Sequence, residues 1–347
     1  MKKALITGVT GQGGSHLAKY LLEKGYRVFG ACRRMGQSDL WRLQELGVLT
    51  NANFSMLEYD ATDPGSSFRL VEACMPDEIY HLAAQAHVGR SFETPVATAL
   101  VTGIGTLNML EAMRKYTPKA RFLQASSAEL YGNTTIFPQS ENTPFKPRSP
   151  YGAAKLFAYA LTVNYFEAYG LFASNAIFFN YESPLRSTEY VTRKITTAVA
   201  DYVVHGRHPL RLGNLAAKRD WGAAKEYVDG MWRILQAPAP DAFVLATGRT
   251  ETVRTFVNTA YATQGIDLEW QGSGRDEKGV CRKTGQTLVA VDEAYFRPSE
   301  VPALIGDAGK AAAELGWKPR ITLEEIVQEM VASDIHRAKL VPLSLKA

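Results

Sequence analysis

The stretch Ala4-Leu-Ile-Thr-Gly8-Val-Thr-Gly11-Gln12-Gly-Gly14 decides the reading of the fold. Ala4 to Thr7 is a short apolar run of the kind that forms a buried strand. Ser15 to Lys24 follows with helical spacing through Leu17, Tyr20, Leu21 and Leu22, and Gly25 ends it. Gly8, Gly11 and Gly14 thus stand between a strand and a helix N-terminus. Glycines there let the backbone turn tightly and approach a pyrophosphate, while the helix presents N–H groups and a partial positive charge. This placement predicts a dinucleotide site built on Gly8, Gly11, Gln12 and Gly14.

The same alternation continues outward. Strands are expected at Tyr26 to Cys32, Glu78 to Ala83, Arg121 to Ala125 and Ala173 to Asn180, and helices at Ser67 to Cys74, Gly105 to Tyr116 and Tyr151 to Tyr169. Such spacing implies parallel strands joined by crossover helices, a doubly wound α/β sheet of the Rossmann type. After about Thr188 the pattern loosens. Helices are expected at Thr192 to His205, Ala223 to Gln236 and Glu324 to Arg337, and the polar, glycine-rich segment Gly272 to Gly285 reads as a loop or insertion. The division is a dinucleotide-binding domain over 1–187 carrying the catalytic residues. A smaller mixed α/β substrate-binding region over 188–347 follows, with the chain free to cross between the two.

An acidic residue ending the second strand would hold the ribose 2′-hydroxyl of NAD. That place reads Cys32-Arg33-Arg34, with no acid before Asp39. Paired guanidiniums suit a 2′-phosphate, so the cofactor is expected to be NADP. Asp60, after the third strand, is placed to accept from the adenine amino group. Leu82, Ala83 and Gln85, after the fourth strand, are placed as a cofactor wall.

The chemistry lies in Tyr151-Gly-Ala-Ala-Lys155 and in Ser126-Ser127-Ala128-Glu129. Residues four apart share a helix face. An ammonium near a phenol favours the phenolate, which makes Tyr151 a base for an alcohol oxidised by hydride transfer. Ser149-Pro150 starts that helix. Ser127, at the carboxyl edge of a parallel sheet, is the hydroxyl expected to hold the substrate oxygen, with Ser126 pointing elsewhere. Glu129 adds a carboxylate that simple alcohol oxidation does not need. It permits a second proton transfer, from the carbon beside a new ketone.

Composition sets the outer limits. The chain has 347 residues, 46% hydrophobic and 21% charged, with 39 basic against 35 acidic side chains and a net charge of +4. The basic residues form no long run, so neither nucleic acid nor a membrane surface is an expected partner. Cys32, Cys74 and Cys281 are odd in number, far apart and without metal-ligand spacing. They are expected as free thiols in a reducing compartment, the cytoplasm, with no metal. Gly8 and Gly11 interrupt the apolar N-terminal run, so no signal or spanning segment is expected there.

The glycine spacing resembles that of the short-chain dehydrogenases. Further segments narrow the resemblance: Ser149-Pro-Tyr-Gly-Ala-Ala-Lys155, Asn180-Tyr-Glu-Ser-Pro184, Val191-Thr-Arg-Lys194, Gly213-Asn-Leu-Ala-Ala-Lys-Arg-Asp-Trp-Gly222 and Tyr295-Phe-Arg-Pro-Ser-Glu-Val301. With these the chain resembles, over nearly its whole length, the extended short-chain dehydrogenases and, within them, the GDP-mannose 4,6-dehydratases. The resemblance implies a tightly bound, recycled NADP and an internal redox cycle. Tyr151, Lys155, Ser127 and Glu129 would be catalytic. Asn180, Glu182, Val191, Lys194, Gly213, Asn214, Arg219, Arg297 and Glu300 would contact the GDP-sugar. The assembly would be a homodimer or homotetramer, whose tetramer contact uses the Arg33-Arg34 loop.

Departures from that pattern are Gly13 for an aspartate, Ser127 for a threonine, Ala128 for a serine, Met35-Gly36 for a serine pair, and Leu-Arg-Ser-Thr-Glu after Pro184 in place of an Arg-Gly. They leave a sister specificity, a GDP-manno-heptose, as an alternative substrate. An epimerase or reductase on the same scaffold is a further alternative, with His87 as the nearby acid–base candidate. A non-catalytic NADP-binding module is the third, set against the presence of all four catalytic residue types.

Overall fold

A computed structural model describes residues 1–33, 37–296, 301 and 303–340. Two compact units are present, each assembled from three segments. The first comprises Met1–Phe179, Ala224–Gly248 and Ile305–Pro319; the second comprises Asn180–Ala223, Arg249–Leu304 and Arg320–Ala347.

The first unit is built on a seven-stranded sheet in the order Ala242–Leu245, Phe172–Phe178, Arg121–Ser127, Glu78–His81, Lys3–Thr7, Arg27–Cys32 and Phe54–Glu58. Every pairing is parallel. The order reverses between Lys3–Thr7 and Glu78–His81, where Thr7 is in register with His81. A reversal of this kind opens a crevice at the carboxyl ends of the strands, where ligands of such sheets bind. Ala4, Leu5 and Ile6 are fully buried, as a strand covered on both faces requires.

Two helices of this unit start where a short polar side chain satisfies their first N–H groups. Asp63 accepts from Gly65 N and Ser66 N and is followed by Pro64 at the head of helix Pro64–Cys74. Ser149 accepts from Gly152 N ahead of helix Pro150–Tyr169, which ends at Gly170 in the left-handed region. The run Pro95–Tyr116 includes a π-helical stretch, Ala99–Ile104, and is long and apolar enough to span a bilayer by composition. Its place is inside the unit, 56% buried, against helices Pro64–Cys74 and Pro150–Tyr169.

Two expected boundaries move. The strand expected to run to Asn180 leaves the sheet after Phe178; Phe179 N still bonds Leu245 O, and Asn180–Glu182 is a separate strand of the second unit. Gly272 to Gly285 is not a loop. Lys278–Cys281 lies within it as a strand of a four-stranded sheet with Leu268–Gln271, Thr287–Val291 and Leu210–Leu212. Gly272 and Gly285, at φ +76° and +70°, sit at its two turns. The glycines that read as loop are turn residues bracketing a short strand. Around this sheet, Ile195, Val199, Trp221, Phe256, Val257, Val327 and Met330 form the second unit's core.

Candidate active site

The glycine turn is closed against its own backbone. Gly8 has φ +68°, and a β-carbon on it would stand 2.9 Å from Ala83 N. One on Gly14 would stand 2.5 Å from Gly8 O. Only a bare backbone fits at both positions, and helix Gln12–Glu23 opens there with Gly11 as an N-cap lacking a side-chain bond. The cradle therefore suits a dinucleotide pyrophosphate. Gln12 and Gly13 are buried in the first turn.

Arg33 is exposed at the end of its strand; Arg34, with Met35 and Gly36, lies outside the described residues. Asp60 accepts through Oδ1 from Thr62 N at 2.9 Å and Thr62 Oγ1 at 2.8 Å. These bonds, assisted by the charge of Arg33, hold its carboxyl below the usual range. Leu82 and Ala83 border the glycine turn, and Ala83 N donates to Thr7 Oγ1. The Gln85 side chain braces its own loop, accepting from His87 N and donating to His87 O and Thr98 Oγ1.

Strand Arg121–Ser127 runs two residues past its expected end, and its alternation separates the two serines. Ser126 Oγ donates to buried Asn175 Oδ1 at 3.0 Å, whereas Ser127 Oγ accepts from Glu129 N at 3.2 Å. Glu129 lies in the single 3₁₀ turn Ala128–Leu130. That turn rests on the head of helix Pro150–Tyr169, because a β-carbon on Gly152 would meet Glu129 O at 2.9 Å. Tyr151 is buried beside Gly152, and Lys155 is one turn further along. Lys155 Nζ donates to Ala125 O at 2.5 Å and lies 5.9 Å from the Tyr151 ring centroid. Burial pulls its ammonium down to about 7. Ser127, Glu129, Tyr151 and Lys155 are thus gathered on one strand end and one helix head.

His81 ends strand Glu78–His81, just ahead of the expected cofactor-wall residues Leu82 and Ala83. It bonds Thr7 Oγ1 at 2.9 Å and stacks on Phe122. Burial, then the charge of Lys155, pushes it down to about 3, so it is neutral. A histidine ending an internal parallel strand before small residues was the available signal. His87, the acid–base candidate of the epimerase reading, instead caps helix Val88–Glu93 by accepting from Arg90 N through Nδ1.

In the second unit, strand Asn180–Glu182 pairs with Trp221–Ala223. Glu182 is buried; Thr192 Oγ1 donates to it at 2.6 Å and Arg186 Nε lies at 3.2 Å. Burial raises its pKa despite these partners. The carboxylate therefore ties the 180–184 segment to the head of helix Val191–His205. Lys194 on that helix sets its Nζ 3.5 Å from the Tyr295 ring centroid. Gly213 abuts Tyr295 O, where a β-carbon would come within 2.6 Å, and Asn214 Oδ1 accepts from Ala216 N. Arg219 is buried and donates to Lys218 O, and it lines a cavity of about 160 Å³ with Trp221, Arg249, Glu251, Leu323 and Glu324. Arg297 and Glu300 lie outside the described residues.

The family model described as GDP-mannose 4,6 dehydratase matches residues 5–330. The chain belongs to the GDP-mannose 4,6-dehydratase family. Among family members, GDP-mannose 4,6 dehydratase 2 of Caenorhabditis elegans is 50% identical over 99% of this chain and 91% of its own length. GDP-mannose 4,6-dehydratase of Sinorhizobium fredii is 50% identical over 96% and 97%. The Homo sapiens GDP-mannose 4,6 dehydratase is 46% identical over 98% and 93%. Solved structures more distant than these share the fold. A UDP-glucose 4-epimerase from Thermotoga maritima superposes with a TM-score of 0.80 at 24% identity, covering 98% of this chain and all of that one. A dTDP-glucose 4,6-dehydratase from Bacillus anthracis, in complex with NAD, gives 0.80 at 19% identity, covering 98% of each. The extended Rossmann-like architecture expected from the glycine turn is therefore the family's own.

Proposed function

We propose that the protein dehydrates GDP-mannose to GDP-4-keto-6-deoxy-mannose, with NADP retained and recycled. One observation carries this reading beyond simple alcohol oxidation. The backbone of the Glu129 turn packs directly on the helix head that carries Tyr151, which supports Glu129 as a second proton-transfer group working with the Tyr151–Lys155 pair.

Tyr151 takes the C4 hydroxyl proton while Ser127 holds the C4 oxygen. When bound, the nicotinamide supplies reversible hydride storage between C4 and C6. Glu129 removes the C5 proton, made acidic by the C4 ketone, and delivers it to the departing C6 hydroxyl, which leaves as water. Buried Lys155 stabilises the Tyr151 phenolate when charged. The proton that Tyr151 took from O4 is passed back to C5 as C6 is reduced, so every atom is accounted for and the product differs from the substrate by one water.

Arg33 and Arg34 favour NADP over NAD. Asn180, Val191, Lys194, Gly213, Asn214, Arg219, Arg297 and Glu300 form the GDP-sugar contact set, with Glu182 bracing it. The named relatives act on GDP-mannose, which favours the hexose over the heptose. A homodimer is supported by exposed Val96, Leu100, Phe157, Phe166 and Tyr169 on the mutually packed helical segments Pro95–Tyr116 and Pro150–Tyr169. Burial of an apolar helical face of this kind is what subunit contacts supply. Cys32, Cys74 and Cys281 are buried free thiols, which suits the cytoplasm.

The test is mass spectrometry of the purified protein incubated with GDP-mannose without added cofactor. Loss of one water is expected. An unchanged mass, or dehydration of GDP-manno-heptose alone, would overturn the assignment.

A further inference from the structure

Lys194 stands in the first turn of helix Val191–His205, a turn with no acidic residue. A cation there opposes the positive end of the helix dipole, so the position is unfavourable until an anion arrives. Among the described residues no carboxylate pairs with Lys194. Its ammonium instead lies 3.5 Å from the Tyr295 ring centroid.

The ring's backbone is held firmly. Asp292 N donates to Leu212 O at 2.8 Å, Asp292 Oδ1 accepts from Ala294 N at 3.0 Å, and Tyr295 N donates to Asp292 O at 3.2 Å. Gly213 closes the other side, since a β-carbon there would come within 2.6 Å of Tyr295 O. A short, capped turn therefore carries an aromatic face to a long, flexible lysine.

We propose that Tyr295 is a positioning residue that holds the Lys194 ammonium ready for the diphosphate of the GDP-sugar. The proposal rests on the reading of Lys194 as a GDP-sugar contact, in which its ammonium would meet the diphosphate. A ring occupies one side of an ammonium and leaves its remaining N–H groups for phosphate oxygens. Fixing the rotamer in advance lowers the ordering cost at binding. The hydroxyl of Tyr295 has no part in this; the ring face does.

The test is calorimetric titration of GDP into the NADP-loaded protein and its Tyr295→Leu, Tyr295→Phe, Lys194→Met and Tyr295→Leu/Lys194→Met variants. Tyr295→Leu is expected to weaken GDP about three- to fivefold, the strength of one exposed cation–π contact. Tyr295→Phe should restore binding, and Tyr295→Leu should cost nothing further once Lys194 is Met. In turnover, KM for GDP-mannose should rise with Tyr295→Leu while kcat stays within about twofold. An equal loss from Tyr295→Leu in both lysine backgrounds would overturn the proposal, as would a Phe variant as weak as Leu. If Lys194→Met leaves GDP binding unchanged, the reading of Lys194 fails first.

Discussion

The carbonyl oxygen of Glu129 lies where a β-carbon on Gly152 would come within 2.9 Å of it. Two elements far apart in sequence, a strand-end turn and a helix head, are thereby set against each other with no side chain between. The backbone positions of Glu129 and Tyr151, the two proposed bases of the reaction, are set relative to each other by that contact.

Gly152→Ala forces this contact apart, and Pro147 Cβ, 3.0 Å from the same point, closes the alternative direction. Displacement of reacting groups by around 1 Å costs about 10²-fold. The variant is expected to lose roughly that in kcat for dehydration while its GDP affinity changes less than about twofold. Parallel steady-state kinetics and GDP titration check the split.

Glu129→Gln removes the base but keeps the shape. Cofactor and GDP-mannose binding should survive, and water loss should fall by about 10²–10⁴-fold, the usual worth of a positioned acid–base group. Mass spectrometry of the product follows the loss directly. Full activity would remove Glu129 from the chemistry.

Lys155 gives a pH signature. Burial lowers its folded pKa from 10.5 to about 7. Between these values the unfolded chain holds a proton that the folded protein has released, so stability from this group rises with pH across that window. The stability of the parent protein relative to Lys155→Met should climb by up to about 1.4 kcal/mol per pH unit between about pH 7 and 10. Urea unfolding of both proteins at several pH values, at matched cofactor loading, measures the slope; a flat difference would contradict it.

Asp334 is the partner of buried Arg193, at 2.7 Å from Nη2, and also accepts from Thr196 Oγ1 at 2.7 Å. Arg193 Nη1 in turn donates to Pro184 O and Arg186 O. Asp334→Ala removes the buried carboxylate that faces the Arg193 guanidinium, which costs about 3–5 kcal/mol. The midpoint of urea unfolding should drop accordingly, and KM for GDP-mannose should rise as the 184–186 segment loosens.

The parallel sheet and the elements that carry the candidate catalytic residues were legible because each is carried by local pattern. An apolar run, a glycine turn and a Tyr–Lys pair one helical turn apart all act within a few residues of chain. Their expected places agree with the strands and helices observed. Glu182 shows where local reading stops. The family resemblance implied a ligand contact, and its carboxylate is bonded by Thr192 and Arg186, contacts that only the folded second unit creates. Likewise Gly279 looked like loop, but a β-carbon on it would stand 3.2 Å from the Trp270 ring, across a strand pairing that no short window contains. The packing of His81 is not legible in the sequence because its contacts with Thr7 and Phe122 are each brought to it by the sheet.

The chain passes between its two units after residues 179, 223, 248, 304 and 319. Neither unit is therefore a contiguous piece of the gene. A single proteolytic nick cannot release one whole from the other, and a recombination event with one or two breakpoints cannot import a new second unit intact. For this architecture a change in either unit has to be reached by substitution at individual positions, with every intermediate still folding as the same interleaved pair of units.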